Sequence, residues 1–146
     1  MSSDQARSDP YDLARFEEAQ ERHFESAIEE LERGRKSGHW IWFIFPQISG
    51  LGFSSLSRRY AIQSLDEARA YLQHPVLGQR LMRCVHLVLD VDGKSAVQIL
   101  GHVDALKFRS CLTLFDAACD DNGVFATALD QYFGGERDPL TLKALA

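Results

Sequence analysis

The chain has 146 residues, of which 45% are hydrophobic and 25% charged, and carries a formal net charge of -5. A chain of this length buries roughly 68–70% of its unfolded surface, so it needs no disulfide or metal staple, and its composition excludes a disordered chain. No run approaches the roughly 18 apolar residues of a membrane span, and the acidic balance excludes a long nucleic-acid partner while leaving small anions open.

Residues 1–8 are polar and aperiodic and read as a loose tail. The rest, 9–146, reads as one all-helical domain of roughly six to eight helices. Asp9-Pro10 supplies a cap and a first-turn proline. Leu13, Phe16, Gln20, Phe24, Ile28 and Leu31 then recur at helical spacing, with Glu17, Glu18, Glu21, Glu25 and Glu29 opposite, until Gly34. Residues 37–53 are crowded with aromatic rings, and Pro46 ends the densest run. Periodicity alone allows a buried helix or a wall strand. The helix is favoured, because no second strand is available to satisfy an isolated one.

Ser64 and Glu67 form a capping box for a short helix ending before Pro75. The next helix points Leu77, Leu81, Cys84, Val85, Val88 and Leu89 inward. Asp92-Gly93 is a turn, Ser95 opens a short helix, and Gly101 breaks it. A longer helix follows, with Val103, Leu106, Cys111, Leu114, Phe115 and Ala118 as its core side. Residues 120–123 read as a loop, 125–133 as a helix closed by Gly134-Gly135, and Asp138-Pro139 as the start of a last turn or two. Cys84, Cys111 and Cys119 are odd in number, lack metal-ligand spacing, and are expected to be reduced core residues in a cytoplasmic protein.

Two segments carry candidate chemistry. The stretch from Gly34 through Arg35, Lys36, Ser37, Gly38 and His39 to Trp40 offers two cations, a hydroxyl, an imidazole and turn amides, groups suited to an anion or phosphate. It reads equally as a solvated basic turn. On the long helix, Asp104, Lys107 and Ser110 share one side at helical spacing. A partly buried ammonium there would bind an anion or move a proton; the plain alternative is a surface ion pair. His39, His74 and His86 have no tight metal spacing, so no metal or cofactor is expected. His74 reads as a cap before Pro75, and His23 and His102 as solvent-facing.

Several of these motifs also resemble a known family. His39-Trp40-Ile41-Trp42-Phe43-Ile44-Phe45-Pro46-Gln47, with Gly34-Arg35-Lys36 before it and Gly50-Leu51-Gly52 and Ser54 after it, is its most specific part. Tyr60-Ala61-Ile62, His74-Pro75, Asp104 with Lys107, Ser110 and Thr113, and Thr141-Leu142 extend the match over nearly all of 9–146. The chain resembles the family built on domain of unknown function 1810. The resemblance implies an all-helical cytosolic protein and brings no established activity. Cys111 departs from the pattern, in which a small hydroxyl residue follows Ser110.

From these residues, the expected function is binding of an anionic, nucleotide-like or phosphorylated small molecule in a polar and aromatic pocket. Arg35, Lys36, His39, Trp40, Trp42, Gln47, Ser54, Tyr60, Lys107 and Ser110 are the candidate binding residues. Asp104 and His39 are the candidate acid or base for hydrolysis of a glycosidic bond to an ADP-ribose-type group, a reaction suggested by fold-level analogy. The alternatives are a protein-interaction module using the aromatic segment 39–53, and a purely structural role for the polar residues.

Overall fold

A long helix running from His102 to Ala118 is central to the molecule, and several other helices pack against it. The computed structural model describes residues 9–119 and 123–146; the expected tail at 1–8 and most of the expected loop at 120–123 lie outside them. In chain order the helices are α1 Ala14–Glu32, α2 Ile41–Ile44, α3 Ser55–Arg59, α4 Leu65–Gln73, α5 Leu77–Leu89, α6 Ala96–Leu100, α7 His102–Ala118, α8 Gly123–Phe133 and α9 Pro139–Leu145. The architecture is all-helical. The segment absent from the periodicity reading is α3, a single turn too short to show a period; Ser54 caps it by accepting from the Ser57 amide.

The central position of α7 explains a correction. Val103 and Leu106, expected in the core, are exposed, whereas Phe108 and the run from Cys111 to Phe115 are fully buried. A one-sided stripe is the pattern of a surface helix. Here α4, α6, α8 and α9 all pack on α7, so its middle is buried all round and its first turn is left in solvent. Outside it, α1 and α5 pack together, and α5 also meets α4 and α8. Phe16, Tyr71, Phe115 and Phe125 form a chain of ring contacts through the core, with centroids 5.1–6.0 Å apart. Cys84 and Cys111 are buried, and burial pushes the Cys84 thiol up to about 12 and the Cys111 thiol well above its usual value.

The caps differ in detail from the sequence reading. Asp9 does cap, but from a turn: its carboxylate accepts from the Leu13 and Ala14 amides at 2.7 and 3.0 Å, and α1 begins at Ala14. The Ser64 hydroxyl accepts from the Glu67 amide, while the Glu67 carboxylate turns to the Gln63 amide and to Arg15. The complete capping box is at Ser95 and Gln98. His74 caps α5 through its ring, Nδ1 accepting from the Val76 and Leu77 amides and Nε2 lying 2.9 Å from Glu17.

The aromatic stretch makes one helical turn, α2, and then continues irregularly into a turn at 49–50. It does find a partner strand, but only one residue long: Ile48 and Ile62 form an isolated parallel bridge. The Ser49 amide donates to the Ile62 carbonyl and the Ile62 amide to the Gln47 carbonyl, both at 2.8 Å. Arg15 fastens the returning end. Its guanidinium donates to the carbonyls of Tyr11, Asp12, Arg59 and Ala61 and to the Glu67 carboxylate, at 2.7–2.9 Å. That satisfies all of the guanidinium's donors, which is what lets a buried arginine persist.

Candidate functional site

The segment after α1 turns at Gly34, whose positive φ of 73° places the chain in the left-handed region that glycine adopts freely. The turn aims its donors inward at a carboxylate of the protein itself. Glu30 Oε1 accepts from the Ser37 and Gly38 amides at 2.7 Å each and from the Trp40 indole at 2.9 Å. Burial opposes the charge on Glu30, but these donors and the Lys36 ammonium outweigh it and hold the carboxyl below its ordinary range. The donors that the sequence reading offered to an external anion are therefore taken up here by Glu30. Sequence reasoning missed Glu30, whose position beside Leu31 and three residues after Ala27 puts it on the core stripe of α1.

Lys36 and Lys107, distant in sequence, meet at Asp104. Lys36 Nζ lies 2.6 Å from Asp104 Oδ2, and Lys107 Nζ 3.9 Å from Oδ1. Each ammonium also sits 5.0 Å from the centroid of a tryptophan ring, Lys36 over Trp40 and Lys107 over Trp42. Trp40 is fully buried. Trp42 is half-buried, and its indole nitrogen is buried without a hydrogen-bond partner. Trp42 also borders a small chamber of about 30 Å³ with Gln47, Gly50, Gly52, Arg58 and Tyr60. Lys36, Trp40, Trp42, Asp104 and Lys107 thus come together without Arg35, and the two cations are directed at a carboxylate of the protein.

Tyr60 also borders a second and larger space. This cleft, of about 440 Å³, lies between α1 and α3 and is lined by Arg22, His23, His39, Leu56 and Arg59, with Phe43 and Tyr60 at its floor. Phe43 lies 5.3 Å from Tyr60 and 5.2 Å from His23 between ring centroids. Arg15 reaches the cleft but is fully bonded elsewhere. Arg59 packs on Tyr60, its guanidinium 5.5 Å from the ring centroid and its Nε 3.4 Å from the hydroxyl. That hydroxyl pushes the Arg59 pKa further up, so the group stays cationic. Glu18 is the one carboxylate lining the cleft. Arg22, Arg59 and Glu18 were not sequence candidates: three separate segments meet here, and only the i,i+4 spacing of Glu18 and Arg22 is visible in the chain.

The remaining candidates fall elsewhere. Arg35 is exposed. Ser54 is the α3 cap. Ser110 is turned away from Lys107: its hydroxyl donates to the Leu106 carbonyl and lies 3.1 Å from Asp138 Oδ2. Asp138 caps α9, accepting from the Thr141 amide and hydroxyl, and its own amide donates to the Thr113 hydroxyl. This network docks α9 on α7, and with it the polarity of Ser110 and Thr113 is accounted for. Among the described residues no group of three His, Cys, Asp or Glu side chains is placed to hold a metal, and no helix is long and apolar enough to cross a membrane.

Taken together, these features define an all-helical protein with an arginine- and histidine-lined cleft and a half-buried cluster in which two lysines share one aspartate. The chain belongs to the family described as "Protein of unknown function (DUF1810)", whose model matches residues 10–145. It is similar to the crystal structure of the conserved hypothetical protein Rv1873 from Mycobacterium tuberculosis, with 51% sequence identity and a TM-score of 0.93, over 94% of this chain and 98% of that one. Comparison with curated proteins gives no match.

Proposed function

We propose that the protein binds an anionic small molecule, phosphorylated or nucleotide-like, in the cleft between α1 and α3. The observation that carries this reading is the charge of the cleft. Arg22, Arg59, His23 and His39 line it against the single carboxylate Glu18, in a chain whose net charge is -5. Cations gathered against the overall charge, over an aromatic floor and in a concave space, are suited to a charged group attached to an apolar or planar body. His39 and Tyr60 contribute from the sequence candidates. Lys36 and Lys107 are assigned to Asp104, and a direct ligand role is not given to them.

Binding, rather than catalysis, is the reading advanced. Asp104 has its charge balanced by two lysines, so a glycosidic hydrolysis in the cleft would rest on His39 and Glu18 alone. A paired-carboxylate mechanism needs two carboxyl groups flanking the bond. The protein-partner alternative is left with Phe53, which is 80% exposed, and Leu56, because Trp40, Phe43 and Phe45 are in the core.

A thermal-shift screen over nucleoside monophosphates, sugar phosphates and ADP-ribose tests the proposal. A ligand present at 100 times its Kd stabilises by about 2.7 kcal/mol. The expected result is a compound whose shift is abolished in Arg22→Ala/Arg59→Ala while the unliganded melting temperature is unchanged. A shift that survives in the double variant, or no shift with any phosphorylated compound, overturns the proposal.

A further inference from the structure

The cations of the cleft bear on one end of a ligand only. The other end meets Glu18, the one carboxylate among the described residues that line it. Glu18 and Arg22 stand at i,i+4 spacing on α1, where an ion pair is open to them. No hydrogen bond or ion pair reaches Glu18 among the described residues, however. Its charge is felt instead by Arg59 on α3, across the cleft, where it helps to raise the pKa of that group. An ionised carboxylate only accepts hydrogen bonds. A ligand that is anionic throughout is pushed away by Glu18, so filling the cleft takes donors opposite it.

The kind of donor follows from the surroundings. An ammonium would suit Glu18 but would stand among Arg22, Arg59, His23 and His39. Hydroxyls are neutral and meet no such repulsion, and a vicinal pair can donate to both carboxylate oxygens at once. Four residues along α1 set Glu18 and Arg22 roughly 6 Å apart along the helix axis, a gap that a single sugar ring spans. The tilted rings of Phe43 and Tyr60, with centroids 5.3 Å apart, offer apolar surface to the C–H side of such a ring. We infer that the ligand of the cleft is a sugar phosphate with a vicinal diol, its phosphate held by Arg22 and Arg59 and its diol by Glu18. This rests on the anion-binding reading of the cleft and makes Glu18 its specificity-determining residue.

Titration calorimetry with two probes tests it. Ribose 5-phosphate carries the phosphate, the ring and the diol; tetrahydrofurfuryl phosphate keeps the phosphate and the ring and lacks the hydroxyls. The protein is expected to bind ribose 5-phosphate roughly tenfold more tightly, the size of one charge-assisted contact. Glu18→Gln is expected to erase that preference: ribose 5-phosphate weakens, while tetrahydrofurfuryl phosphate binds as before or more tightly, because a negative charge has gone. Glu18 is exposed, so the melting temperature of the variant is expected to stay that of the parent, and a general loss of structure would weaken both probes together. Equal binding of the two phosphates, or a preference that Glu18→Gln leaves unchanged, overturns the inference and leaves the cleft as an anion site. Binding of neither probe overturns the inference as well, and the reading of the cleft falls with it only if the thermal-shift screen is also blank.

Discussion

The turn gathered on Glu30 and the cleft lined by Arg22 and Arg59 lie side by side, with His39 between them in the chain, and they are opposites in how their polar groups are used. In the turn, two amides, an indole and an ammonium all converge on one carboxylate. In the cleft, two arginines and two histidines face a hollow with one carboxylate among them. Basic residues near glycines looked like a ligand site in the turn, where the donors are taken up by Glu30, whereas the cleft gathers more cations than its one carboxylate can balance. The difference teaches that donor-rich sequence marks places where an anion is wanted, and that the fold decides whether the anion is internal.

Removing the internal anion is the hardest test of that contrast. Glu30→Ala strands two amides, the indole and Lys36, and is expected to cost about 3–5 kcal/mol in urea unfolding, as loss of one partner from a buried charged cluster does. Acid is the gentler version. The folded-state value of Glu30 lies below the ordinary 4.5, so its contribution is fully present above that pH and is lost as pH falls through the folded value. Urea titrations over the acid range are expected to show this loss, and Glu30→Gln to remove it; an unchanged acid profile in Glu30→Gln would show that other groups govern the descent.

The network at the far end of α7 should respond in the same manner and less strongly. Asp138→Ala deprives the Thr141 amide and hydroxyl of their acceptor and is expected to lower stability by about 2 kcal/mol, a strong cap plus a buried hydrogen bond. Hydrogen exchange should then show α9 loosened before α1 and α5. At the bottom of the scale, Arg35→Ala is expected to stay within about 0.5 kcal/mol of the parent and to leave any ligand-induced thermal shift intact, since the side chain is exposed.

How far the chain disclosed this in advance depends on the range of the interactions. The helices of α1 and α5 were legible because one face of each meets the core, giving a period. The middle of α7 was not, because burial on all sides erases that signal and led Val103 and Leu106 to be placed inward. Helical spacing paired Asp104 with Lys107 in advance, but the ion pair of Lys36 with Asp104 was not foreseen, because its partners are 68 residues apart. The cleft was not legible: His23 read as solvent-facing, Arg22 drew no reading, and Arg59 ends a helical turn too short to show a period. Their approach is set by Arg15, which ties α1 to the Arg59 and Ala61 carbonyls.

The pinning of both ends of the 47–62 excursion has a mechanical consequence. The bridge between Ile48 and Ile62 closes it into a hoop, and the Arg15 guanidinium rivets one end of that hoop to α1. Because Tyr60 lines both the small chamber and the cleft, any displacement of its ring reshapes the two spaces together, and the hoop that carries it has little freedom to follow.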